Sequence, residues 1–127
     1  MNVLAADTLL DARMPGPVGA EIVTVPAVAV GELLLYPRPV IQHGDGIEPV
    51  ALVLDLRHWL ISLPGGLSVP VECTSAQAAV DTADAFRADA ERGAISSYSP
   101  GELAKWAAWW CAQRDDAIEL NLGGASR

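Results

Sequence analysis

The chain has 127 residues, 51% hydrophobic and 19% charged, with a formal net charge of −8 and Lys105 as its only lysine. One domain of this length buries roughly two-thirds of its unfolded-chain surface, and its apolar content, with a mean hydropathy of +0.28 and a pI near 4.5, excludes an intrinsically disordered chain. A grip on phosphate backbones or anionic membranes is excluded as well, because it needs clustered cations, whereas Arg13, Arg38, Arg57, Arg87, Arg92, Lys105, Arg114 and Arg127 are scattered singly.

Residues 2–13 are expected to form a short helix with Val3, Ala6 and Leu10 near one face, stopped by Pro15-Gly16-Pro17. Asp7 and Asp11 stand where a signal peptide would carry basic residues, so no leader is expected. The longest apolar stretch, V-T-V-P-A-V-A-V-G-E-L-L-L, is broken by Pro26, Gly31 and Glu32, so no membrane span is expected either.

From Val18 to Val30 β-branched residues dominate, which predicts an extended segment with Pro26 at an edge or bulge. Gly31 and Glu32 turn into L-L-L-Y-P-R-P-V-I, held out of helix by Pro37 and Pro39. After the loop Q-H-G-D-G-I-E-P comes V-A-L-V-L-D-L-R-H-W-L-I-S-L, the strongest strand signal. Pro64-Gly65-Gly66 then returns the chain as L-S-V-P-V-E-C, an antiparallel neighbour because the connection is short.

The period then changes. Thr74 or Ser75 caps a helix to about Arg92, Thr74 and Gln77 matching a capping box, with small residues such as Ala76, Ala79 and Ala83 turned inward and Gly93 past its end. Ser99, Pro100 and Glu102 mark the start of a second helix. The segment 118–122 fits either the end of that helix or a short strand. The expected fold is α+β in a single domain over 1–127, strand-rich at 18–73 and helical at 74–120. In it a mainly antiparallel sheet of about four strands is packed by two C-terminal helices.

On the second helix, at about 100° per residue, Leu103, Trp106, Ala107, Trp110, Ala117 and Ile118 share one stripe, so Trp106 and Trp110 are expected in the core. Trp109 falls at the margin beside Gln113 and Leu120, where a tryptophan suits a contact with a partner. Arg114 and Arg87 lie inside apolar stripes and each must snorkel or pair with a carboxylate, Asp84 or Glu91 being in reach of Arg87. An interfacial role is the alternative for both, which makes Trp109, Gln113, Leu120, Arg114 and Arg87 the interface candidates.

No phosphate loop, dinucleotide fingerprint, nucleophile elbow, C-x-x-C or H-E-x-x-H motif is present. The weak alternative is the loop holding His43, Asp45 and Glu48, with His58 downstream, where imidazole and carboxylates suit a divalent metal or acid–base chemistry. H-G-D-G is equally an ordinary polar turn. Cys73 and Cys111 read as buried free thiols in a cytosolic chain, or in a particle assembled in the cytoplasm.

Three functions follow from these residues. The leading one is a non-enzymatic subunit that binds another protein or copies of itself, with no cofactor, no direct nucleic-acid contact and no membrane. A small enzyme using His43 and Asp45 is the second, and an acidic mimic of nucleic acid the third, resting on Asp81, Asp84, Asp89, Asp115, Asp116 and Glu119. Residue usage points to a GC-rich bacterial genome or its phage.

Overall fold

Backbone pairing claims more of the chain than its local pattern suggests. The computed structural model describes residues 8–16, 19–43, 49–65, 67–95 and 98–120. They form strands β1 (Thr8–Gly16), β2 (Gly19–Val30), β3 (Leu33–His43), β4 (Pro49–Ser62) and β5 (Ser68–Cys73), helices α1 (Ala76–Glu91) and α2 (Pro100–Cys111), and strand β6 (Ala117–Glu119). The strands lie in chain order in one antiparallel sheet. The class is α+β as expected, but the sheet has six strands instead of four, and the helices fall between β5 and β6.

One extra strand, β1, corrects an expectation, and the other, β6, decides for strand in a segment that fitted either strand or helix. Where residues 8–13 were expected in a helix, they pair with β2 in unbroken register from Thr8↔Ala27 to Gly16↔Gly19. A marginal 3.6-residue pattern yields to the ladder that a neighbouring strand offers. Pro15 and Gly16 thereby lead into a hairpin turn rather than end a helix, and residues 2–7 lie outside the described residues. At the other end α2 stops at Cys111, and Ala117–Glu119 adds to β5, with Cys73 opposite Ala117. Leu120 continues the pairing by donating its N–H to the Pro70 carbonyl at 2.9 Å. Ala117 and Ile118 therefore do not belong to the α2 stripe; Ala117 is buried from its strand and Ile118 is exposed.

Local signals at the helix ends hold with one exception at the start of α1 and one at the end of α2. Ser75 caps α1 by accepting from the Ala78 N–H, while Gln77 bonds Asp81 instead of closing a box with Thr74. Gly93 follows α1 at φ +81°, a conformation that suits glycine. Ser99 caps α2 by accepting from the Glu102 N–H, with Pro100 in the first turn.

Alternation along β3 and β4 divides the interior in two. Leu33, Leu35, Trp59 and Ile61 face the helices and join Val69, Val71, Cys73, Ala79, Ala83, Phe86, Leu103 and Trp106 in the main core. Leu34, Tyr36 and Leu60 face the other way, against Val25 and Ala27 of the β1–β2 hairpin. β2 pairs with β3 only over Val28–Val30, and Pro26, which lacks an N–H to donate, sits two residues before that stretch. There the hairpin leaves β3 and its apolar side closes on Tyr36.

Two irregularities mark β4. Between Pro37↔Trp59 and Arg38↔Asp55 three β4 residues, Leu56, Arg57 and His58, have no partner on β3. Trp59 steadies this bulge by donating its Nε1–H to the Leu56 carbonyl, and Asp55 accepts from the Arg57 N–H. The β4–β5 register slips between Trp59 and Ile61, opposite Pro70.

Candidate functional site

The tryptophans of α2 are fixed by polar bonds as well as packing. Trp106 meets Phe86 edge-on, at 5.1 Å and 87°, and stacks on Trp110 at 5.7 Å. Its Nε1–H donates to the buried Asp89 carboxylate at 2.7 Å, and Arg92 pairs with the other oxygen of Asp89. Trp110 donates to the Thr82 hydroxyl at 2.8 Å, which itself donates to the Ala78 carbonyl. A buried indole N–H or carboxylate left without such partners would be costly. Trp106 thus belongs to the core, as the stripe predicts, whereas Trp110, expected there too, is half-buried and packs against it.

Trp109 differs. Its ring lies 6.3 Å from both Trp106 and Trp110, yet it is 52% exposed. It forms one wall of an open groove of about 290 Å³ between α1 and α2, with Ile95 in the groove and Arg92 and Lys105 beside it. Lys105 has no ion-pair partner among the described residues. The groove thus presents an aromatic wall with a cation in reach, on a chain whose net charge is −8.

The other interface candidates are dispersed. Gln113 lies on the exposed side and donates its amide to the Trp109 carbonyl. Arg114 sits past the end of α2, over the Trp110 ring at 5.0 Å, and bonds Asp116 and Asp81. Those bonds raise the Arg114 pKa further and hold the Asp116 carboxyl below its usual range. Arg87 lays its guanidinium on Gly31 at the β2–β3 turn, so close that a Cβ there would sit 2.5 Å from Nε. Leu120 is half-buried beside β5.

Of the acid–base candidates, His43 closes β3 opposite Pro49, and Asp45 and Glu48 lie outside the described residues. His58 finds partners that spacing does not reveal. Its Nδ1 is 2.7 Å from Glu72 Oε2 across the β4–β5 pair, and its Nε2 is 3.7 Å from Asp55 Oδ2. Arg38 reaches the other Glu72 oxygen at 3.6 Å. Glu72 is mostly buried, and Arg38 and His58 supply polar partners to its two oxygens. Both ring nitrogens of His58 are turned to carboxylates of its own chain, an arrangement that pins the bulge. Among the described residues no group of three or more His, Cys, Asp or Glu is disposed to hold a metal ion.

The two thiols are unpaired. Burial pushes the Cys73 thiol up to about 11 and raises Cys111 as well, which suppresses the thiolate a nucleophile needs. No helix of the described residues is long and apolar enough to cross a membrane. No protein-family model, curated protein or solved structure matches the chain.

Proposed function

We propose that the chain is a non-enzymatic interaction module, an assembly subunit that docks another protein or a second copy of itself at the groove beside Trp109. The observation that carries this reading is the half-exposed Trp109 ring, packed against Trp106 and Trp110 and flanked by Lys105, which has no ion-pair partner among the described residues. A large aromatic side chain already ordered before binding loses little entropy in the complex, which is why tryptophans dominate interface energetics. Arg92 is held by Asp89 and Glu102 also lines the groove, so Lys105 is the cation left to favour a docking segment that sets an apolar side chain beside a carboxylate. The work is assigned to the cytoplasm, or to a particle assembled there, where two free thiols persist.

The enzymatic reading has less support, since His58 is engaged at both nitrogens and the thiols are protonated at neutral pH. So has the nucleic-acid mimic, because Asp81 and Asp116 are spent on Arg114 and Asp89 on Trp106 and Arg92. Light scattering across protein concentration, together with selection from a random displayed peptide library, tests the proposal on wild type and Trp109→Ala in parallel. A defined oligomer, or a peptide family of apolar residues next to acidic ones, is expected with wild type and lost in the variant. A concentration-independent monomer that selects no Trp109-dependent peptide would overturn it. Binding that collapses with moderate salt whether or not Trp109 is present would favour the acidic mimic.

A further inference from the structure

Helices α1 and α2 turn different surfaces to water, although both are rich in alanine. On α1 the exposed residues Gln77, Asp84, Ala88 and Glu91 make an ordinary solvated face. Beyond Pro100 the exposed residues of α2 are Gly101, Ala104, Lys105, Ala108 and Trp109, and Ala112 follows at its end. By helical phase Gly101, Ala108 and Ala112 lie opposite the buried Leu103, Trp106 and Ala107, with Lys105 among them and Trp109 on the flank that borders the groove. A helix face with one charge and an exposed tryptophan at its margin is a contact surface rather than a solvated one. Its small residues set no side chain in the way of a second helix, whose axis could approach to about 8 Å.

The two ends of this surface carry unlike charge. Lys105 stands in the N-terminal half of α2 and Asp115 just past its end; both are exposed, and neither has an ion-pair partner among the described residues. A second copy laid antiparallel brings Lys105 of each chain towards Asp115 of the other and opposes the two helix dipoles. Laid parallel, it would set like charge beside like. The surface is thus complementary to itself in one orientation, a property that an unrelated partner would have no reason to share.

With the docking role of Trp109 as the premise, we propose that the docked partner is a second copy of this chain, its α2 packed antiparallel on this α2 about a two-fold axis near Ala108. Such an axis puts both Trp109 rings on the same side of the pair. Sedimentation velocity across protein concentration is expected to show a reversible dimer. Lys105→Glu and Asp115→Lys are each expected to weaken it roughly ten-fold, and the two together to restore it. Both positions are exposed, so the variants are expected to fold as wild type does. In a Cys111→Ala background, Ala108→Cys should form an interchain disulfide under mild oxidation, whereas Gln77→Cys on α1 should not. A wild type that stays monomeric at every concentration, charge variants whose defects add instead of cancelling, or crosslinking no faster at Ala108→Cys than at Gln77→Cys would each overturn the proposal. The docking role of Trp109 falls separately, only if no Trp109-dependent peptide is selected either.

Discussion

The helix-covered half of the sheet and the β1–β2 hairpin are built from similar residues but closed in different ways. Behind α1 and α2 the buried side chains form one continuous core, and even its polar members are bonded, Asp89 to Trp106 and Thr82 to Trp110. Among the described residues the cluster under the hairpin has Val25, Ala27 and Tyr36 buried, with Leu10, Val23, Leu34, Leu54 and Leu60 partly so. A side chain walled in by its own chain serves stability and is unavailable to a ligand. The half that packs incompletely keeps Ile22 in water and a cleft beside it. The proposed docking groove likewise lies where closure stops, between α1 and α2.

The sharpest way to break this contrast is a pair of truncations. Phe86 is fully buried at the centre of the main core, so Phe86→Ala is expected to cost about 3–5 kcal/mol. Val25 is equally inaccessible, but its removal deletes two methyl groups from a small cluster and should cost roughly 1–2 kcal/mol. Urea titration supplies both values, and native-state hydrogen exchange adds the test that separates the halves. Val25→Ala should speed exchange in β1 and β2 while leaving β5 and α1 nearly as protected as in wild type. A uniform loss of protection would mean that the halves unfold as one unit and that the contrast is only geometric.

Alkaline pH probes both halves through buried acids. Cys73 rises from 9.0 to about 11 in the fold, chiefly through burial, and burial also raises Tyr36. A raised pKa means that the folded state holds its proton longer than the unfolded one. The stability linked to Cys73 is therefore complete below pH 9.0 and is lost as pH climbs through about 11. Stability measured against pH should fall over that window and fall less steeply in Cys73→Ala. Alkylation at neutral pH should reach the half-buried Cys111 before Cys73. If Cys73 reacts first, the main core opens more readily than its packing implies.

What could be read in advance divides along similar lines. The start of α2 was legible because Ser99, Pro100 and Glu102 act on one another within a single turn, whereas its stop at Cys111 carries no comparable local signal. The inward placement of Trp106 follows from helical spacing, and the β4–β5 hairpin from its short turn. β1 was missed because its strand character depends on a partner up to nineteen residues away, Thr8 facing Ala27, and residues 8–13 carry no strong local pattern of their own. The pairing of His58 with Glu72 was hidden for another reason. It depends on the bulge at Leu56–His58 and the register slip opposite Pro70, and register is set by packing on both faces at once. The Trp109 margin could be read from helical phase, and the concavity beside the hairpin could not, because it exists only once β1 is a strand.

The smallest expected effect is the one that most sharpens the contrast. Trp106 and Trp109 stand three residues apart on one helix, in contact and with the same side chain. Trp106→Ala should cost about 3–5 kcal/mol, since it empties core volume and strips Asp89 of the indole N–H. Trp109→Ala forfeits two tilted ring contacts with centroids 6.3 Å apart and the burial of about half a side chain, for which about 1–2 kcal/mol is expected. Denaturant midpoints of the two variants test this directly. Should Trp109→Ala prove as damaging as Trp106→Ala, its ring would be a structural element that happens to be half in water, and its exposure would carry no message about a partner. A small loss of stability leaves a large aromatic surface that folding does not require, and loss of partner binding in that same folded variant then places the function of Trp109 outside its own chain.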